Sequence, residues 1–130
     1  FQETASKLLS LYFKNKDNLS GSIESKVLQS WLRAEAYALN IYQTASKLMA
    51  GKKIGPESSL GKVFWSELDH QMHQTALDIL GVSSELEEVV ADDVASWIKG
   101  YMFSYSGPIY AGTNEIQKNI IAERLLGMPR

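Results

Sequence analysis

The chain has 130 residues, 45% of them hydrophobic and 22% charged, with no cysteine and a formal net charge of −2. That length holds one domain with a real core and is too short for two, and the missing cysteine excludes disulfides, thiolate metal sites and cysteine nucleophiles. Thirteen basic and fifteen acidic residues are interleaved; no polybasic arm for nucleic acid, no membrane-length apolar run and no signal-peptide pattern is read, so the expected setting is the cytoplasm.

Apolar spacing is helical almost throughout. Ala5, Leu8, Leu9 and Tyr12 predict a first helix over Gln2 to Lys14, and the polar run Asn15 to Ser22 reads as a turn. A long second helix follows, with Ser20 or Ser22 as N-cap and Glu24 suited to its positive end. Its expected buried stripe is Ile23, Val27, Leu28, Trp31, Leu32, Tyr37, Ala38, Ile41, Ala45 and Leu48, and Gly51 stops it. Gly55-Pro56 breaks the chain again, and a third helix is predicted just after the proline. There Leu60, Val63, Phe64, Leu68, Met72, Ala76, Leu77 and Leu80 recur at three and four residues until Gly81.

Ser83 to Asp93 is acidic and reads as a short surface helix, and Trp97 to Tyr110 as a less regular aromatic stretch ending in Ser-Gly-Pro. In the last helix Asn114 and Gln117 make a capping-box pair, with Thr113 as the alternative cap. Ile116, Ile120, Ile121 and Leu125 supply its buried face, and Gly127 and Pro129 close it. No stretch alternates as a strand does. The expected fold is all-α, an up-and-down four-helix bundle with two long antiparallel helices and shorter partners. The pentapeptide Thr4 to Leu8 recurs as Thr44 to Leu48, but the residues beyond it do not match, which excludes a repeat array.

Glu67-x-x-His70 has the spacing by which a bundle helix offers a carboxylate and an imidazole to a di-iron centre. Such a site needs that pair twice. With two histidines in the chain and no Glu three residues before His73, no metal is expected, and His70 and His73 read as surface residues. Trp31, Trp65 and Trp97 read as core or interface packing. No nucleophile triad, P-loop or dinucleotide fingerprint is present. What stands out is the junction Ile109-Tyr110-Ala111-Gly112-Thr113-Asn114-Glu115-Ile116-Gln117. A glycine followed by a capping triplet suits an anion or a polarised carbonyl. An ordinary loop-to-helix join without a ligand is the alternative.

Ile109 to Arg124, closed by Leu126-Gly127-Met128-Pro129-Arg130, resembles the C-terminal signature of the acyl-CoA dehydrogenase family. Gly100-Tyr101-Met102-Phe103-Ser104-Tyr105-Ser106-Gly107, together with Gly55 to Ser59 followed by Lys62 to Glu67, is similar to a subgroup of the same family. The resemblance implies a flavoenzyme that desaturates an acyl-CoA thioester between its α and β carbons. A glutamate takes the α-proton, FAD takes the β-hydride, and an electron-transferring flavoprotein reoxidises the flavin. It also implies an N-terminal helical domain, a middle β-domain and a C-terminal bundle forming a homo- or hetero-tetramer core. Residues 1–130 would then be a single bundle domain from a longer protein, with Phe1 falling inside the first bundle helix.

Carried over by position, the resemblance implies substrate contacts at Ala111 and Gly112 and flavin contacts at Thr113, Asn114 and Glu115. The usual catalytic base position holds Ala111, whose methyl group cannot take a proton, so no catalytic residue is assigned. Its backbone N–H could still polarise a thioester carbonyl. Some members carry the glutamate on the first bundle helix, in a portion that would precede Phe1. A second flavin-contacting segment corresponds to Asp78-Ile79-Leu80-Gly81-Val82, where Asp78 and Val82 depart from the family's glutamine and glycine. The Gly81–Ala111 connection is also longer than usual. The departures fit a displaced base or, alternatively, a non-catalytic structural subunit of a hetero-oligomer. A stand-alone helical binding module is a third reading, and it requires a chain without exposed apolar surface.

Overall fold

The computed structural model describes residues 1–84 and 92–129. The first helix, α1 (Gln2–Asn15), ends where the Asn15 side chain donates to the Leu11 carbonyl at 2.9 Å and the chain tightens into a 3₁₀ turn over Lys16–Asn18. Next, α2 (Gly21–Met49) begins after Ser20, whose hydroxyl bonds that of Ser22 at 2.7 Å and caps no amide. Its far end is a left-handed glycine cap. Gly51 has φ 72°, and the amides of Gly51 and Lys52 reach back to the carbonyls of Leu48 and Lys47, which satisfies the last free acceptors.

The third helix, α3 (Ser58–Leu80), opens two residues after Pro56, as the sequence predicts. The fourth, α4 (Asp92–Ser104), takes in much of the aromatic stretch expected to be irregular. Tertiary packing overrides its weak helix formers, because its aromatic rings seat against α3. The acidic segment expected to form a surface helix lies mostly at 85–91, outside the described residues. Last, α5 (Asn114–Ile120) widens into a π turn over Ile121–Leu125, marked by the Leu126 amide bonding the Ile121 carbonyl.

Cross-links fix the directions. Gln2 bonds Glu35 and Tyr12 lies against Glu24, which runs α1 against α2; Lys26 bonds Asp78 and Arg33 bonds Gln71, which runs α2 against α3. His73 packs on Trp97 and His70 on Tyr101, which runs α3 against α4. The four helices therefore alternate up and down, and α5 lies along the first turns of α3. α3 is the hub: it packs against α1, α2, α4 and α5. The fold is all-α, and no strand occurs among the described residues. Nor is any described helix long and apolar enough to cross a membrane.

The core holds Ala5, Leu8, Leu11, Val27, Ala34, Leu68, Met72, Ala76, Ile79 and Trp97. Burying each larger side chain contributes about 1.5–3 kcal/mol. Here the expected stripe of α2 needs correction. Val27 and Ala34 are inside, but Leu28, Trp31, Leu32, Ile41 and Leu48 are exposed, as are Leu60 on α3 and Ile116 and Leu125 at the chain's end. The apolar face of α2 is wider than α1 and α3 can cover. A stand-alone module was expected to lack such surface. The histidines are also corrected: both are half-buried between α3 and α4.

Candidate functional site

The junction between α4 and α5 is built on α3. After Ser104 the chain turns through Ser106–Ile109, and Gly107 lies so close to α3 that a Cβ there would meet Ser66 Cβ and the Trp65 ring at 3.3 Å. Any larger residue there would push these neighbours by a few tenths of an ångström. Tyr110 follows with its ring 5.8 Å from that of Trp65. The backbone then takes two consecutive left-handed residues, Ala111 at φ 55° and Gly112 at φ 86°. For glycine this is free; for alanine it costs about 1 kcal/mol or more. Ala111 is the only non-glycine residue with positive φ among those described.

Hydrogen bonds hold the loop at its ends and leave its middle open. The Asn114 amide donates to the Pro108 carbonyl at 2.9 Å and closes the loop, while Gln117 Nε2 donates to the Ala111 carbonyl at 3.2 Å. Thr113 is the cap: its Oγ1 accepts from the Ile116 amide at 3.3 Å. The alternative cap is therefore the observed one, and Gln117 serves Ala111 instead of closing a capping box with Asn114. The amides of Ala111, Gly112 and Thr113 find no acceptor among the described residues. Glu115 is exposed, and its carboxyl is held below the usual carboxylate value by its own amide and by the Thr113 hydroxyl.

Asn114 points the other way. It is buried, and its Oδ1 accepts from Lys62 Nζ at 2.7 Å and from Ser66 Oγ at 3.2 Å, both on α3. Sequence reasoning gave Lys62 and Ser66 no role. The available signal was two polar residues four apart in a helix otherwise read from its apolar repeat. Lys62 and Trp65 also line a half-open cleft of about 620 Å³ between the second half of α2 and the start of α3. Its other walls include Tyr37, Ile41, Leu60 and Phe64.

The structure thus brings Ala111, Gly112, Thr113, Asn114 and Glu115 into one loop. It does not bring Asp78 and Val82 to them. Asp78 lies twelve residues beyond Ser66 on the same helix, about 18 Å away at 1.5 Å per residue. There its carboxylate accepts from Lys26 at 2.8 Å and from Gln74 at 3.1 Å, while Val82 is exposed. Glu67 and His70 face different neighbours: Glu67 lies 3.7 Å from Lys118 at the surface, and His70 Nδ1 bonds Ser104 Oγ at 2.9 Å.

Comparison with known proteins agrees with this arrangement. The family described as acyl-CoA dehydrogenase, C-terminal domain, matches residues 20–126. The chain is 33% identical over 109 residues to the acyl-CoA dehydrogenase IpdE1 of Mycolicibacterium smegmatis, covering 83% of this chain and 26% of that protein. It is 31% identical over 111 residues to the protein of the same name from Mycobacterium tuberculosis, covering 83% of this chain and 27% of that one. The chain therefore spans about a quarter of the length of these curated relatives. No solved structure matches it. A sequence match that runs from the start of α2 to the end of the π turn, and so includes the whole junction, means that this chain belongs to the acyl-CoA dehydrogenase family, as its C-terminal helical domain.

Proposed function

We propose that the chain is the C-terminal domain of a cytoplasmic, FAD-dependent acyl-CoA dehydrogenase that desaturates acyl-CoA thioesters between the α and β carbons. The observation that carries the reading is the open loop at Ala111–Thr113 within a family match covering it. When bound, FAD accepts the hydride from the β-carbon. The residues present fit a flavin and thioester corner: Gly112 has no side chain to block approach, and three unpaired amides await acceptors. The Ala111 N–H polarises the thioester carbonyl and stabilises the negative charge that builds on its oxygen as the α-proton leaves. Gly112 gives the thioester room, Thr113 and Glu115, bonded to each other, shape the turn against which the flavin lies, and Asn114 anchors the turn from inside.

Ala111 does not remove the α-proton, because a methyl group has no basic atom. The base is then a residue elsewhere in the parent protein, and the N-terminal helical and middle β domains complete the flavin envelope. Alone, this chain neither holds FAD tightly nor turns over acyl-CoA. The exposed apolar face of α2 supports assembly through the bundle into a homo- or hetero-tetramer, and an electron-transferring flavoprotein reoxidises the flavin. Anaerobic addition of acyl-CoA to the purified full-length protein tests this: the flavin absorbance should bleach. A full-length protein that carries no flavin, or whose flavin no acyl-CoA reduces, sinks the proposal.

A second reading is a non-catalytic structural subunit. Three features favour it: alanine at the base position, Asp78 tied to Lys26 and Gln74, and Val82 in place of a glycine. Bleaching that requires a co-purifying partner subunit would select this reading.

A further inference from the structure

We propose that Lys62 is a positioning residue for the junction: with Ser66 it grips Asn114 from beneath and sets where the Ala111–Thr113 amides point. The inference rests on the function proposed above, and its geometry stands independently. Lys62 and Ser66 sit four residues apart on α3, the helix around which the others pack. Both reach one atom, Asn114 Oδ1: the 2.7 Å bond from the Lys62 ammonium group is charge-assisted and short, while Ser66 shares its single hydroxyl proton between Asn114 at 3.2 Å and the Val63 carbonyl at 3.0 Å. Charge-assisted bonds are about twice as strong as neutral ones.

Asn114 is one of the points from which the loop is held. Its side chain is buried, so its oxygen requires partners. Its own amide bonds Pro108, which fixes the span 108–114 at both ends. Between those ends lie the two left-handed residues and the three open amides. The loop is therefore held from two helices: Gln117 of α5 bonds the Ala111 carbonyl, and the buried anchor, Asn114, is held from α3 by a lysine.

The choice of lysine is informative. Lys62 lies close enough to Glu115 for its charge to help hold that carboxyl down, yet its hydrogen bond goes to the neutral amide of Asn114. A half-buried ammonium group is expensive to desolvate, and shape alone would be met by a methionine. What methionine cannot do is hold the Asn114 oxygen at a fixed distance. Lys62 also lines the α2–α3 cleft, so whatever fills that cleft touches the residue that holds the loop.

The test uses the full-length protein with Lys62→Met, Lys62→Arg and Ser66→Ala. Amide hydrogen exchange across 109–117 is read by mass spectrometry, alongside kcat and KM with octanoyl-CoA and isobutyryl-CoA. Lys62→Met should raise exchange there about tenfold, leave α1 and α2 at wild-type protection, and lower kcat about tenfold with KM within about twofold. Lys62→Arg, which keeps a cationic donor, should restore part of both. Unchanged junction exchange in Lys62→Met overturns the proposal. So does a rise spread evenly over the chain, or an arginine variant no better than methionine. If Lys62→Met does not fold, Ser66→Ala takes its place: a smaller rise confined to 109–117 supports the clamp, and no rise rejects it. If the full-length protein carries no flavin, or no acyl-CoA reduces it, the proposed function has failed, and the exchange comparison, which needs no substrate, still decides the role of Lys62.

Discussion

Along α3, Leu68, Met72 and Ala76 are sealed from solvent, whereas along α2 Leu28, Leu32 and Leu39 keep 49%, 59% and 68% of their surface exposed. Both helices carry an apolar repeat at three, four and seven residues. What separates them is the number of neighbours. α3 has α1, α2, α4 and α5 packed around it, while α2 stands at the edge with α1 and α3 on one side. Periodicity reports which face of a helix is apolar, and topology decides whether this chain covers it. The uncovered face of α2 is the observation behind the assembly proposed above.

The largest expected effect comes from the sealed side. Met72→Ala should destabilise the fold by about 2–5 kcal/mol, because the cavity it leaves is lined from several helices and cannot collapse freely. Chemical denaturation measures this. A loss under about 1 kcal/mol would mean that α3 is less central than its burial indicates.

Gly100→Ala comes next and probes the same hub from α4. A Cβ at Gly100 would run into His73 Nε2. That ring cannot swing away easily, since its Nδ1 bonds the Asp69 carbonyl at 2.8 Å and it packs at a steep angle against Trp97. Overpacking of this kind costs about 1–3 kcal/mol. The double variant Gly100→Ala/His73→Ala should recover much of the loss, and a strictly additive cycle would deny the contact.

Much of this architecture is legible in the residues. The end of α2 at Gly51, the opening of α3 after Pro56 and the Thr113 cap follow from local rules that act within four residues. The junction was legible as well, since Gly112 and the capping triplet lie together in the chain. The grip on Asn114 was not: Lys62 and Asn114 are 52 residues apart, and no local pattern announces their bond. α4 was hidden for a related reason. Gly100 and the surrounding aromatics are indifferent helix formers, and they become helical because His70 and His73 receive their rings. Trp31 and Leu32 show the converse, an apolar pattern with no neighbour to meet it.

A smaller effect belongs to α5, whose register on α3 depends on its cap. Thr113→Ala removes the acceptor for the Ile116 amide and should cost about 1 kcal/mol, with fraying confined to the junction. Thr113→Ser should keep most of the stability. Equal losses in both would show that packing against α3, and not the cap, holds α5.

Asp69 gives a pH handle on the same hub. Burial raises its carboxyl above the usual value of 3.8, outweighing the opposite pull of His73 and His70. The folded state therefore holds this proton more tightly than the unfolded state does. Its contribution is most favourable below pH 3.8 and is lost as pH rises through the folded value, so at neutral pH the charged form opposes folding. Asp69→Asn should raise stability at pH 7 by less than about 1 kcal/mol, discounted because the site is partly open to solvent. The gain should shrink as pH falls toward 3.8. A variant less stable than wild type at pH 7 would mean that the contact between the Asp69 carboxyl and His73 Nδ1, 3.6 Å away, outweighs burial.

The smallest effect on folding is expected where the apolar pattern is strongest to the eye. Leu32→Ser and Leu39→Ser replace exposed side chains on α2 and should change the unfolding free energy by no more than about 0.5 kcal/mol at low protein concentration. Their effect should appear as the concentration rises. If the outer face of α2 is a contact between chains, sedimentation of the double variant should shift toward smaller species than wild type at the same concentration. Loss of folding stability at high dilution would place these leucines in the chain's own core and erase the contrast with α3. Unchanged stability and unchanged assembly together would leave the face bare in the assembled protein, and the association surface would have to be sought elsewhere. The contrast between the two helices stands only if serine is harmless to the fold and harmful to assembly.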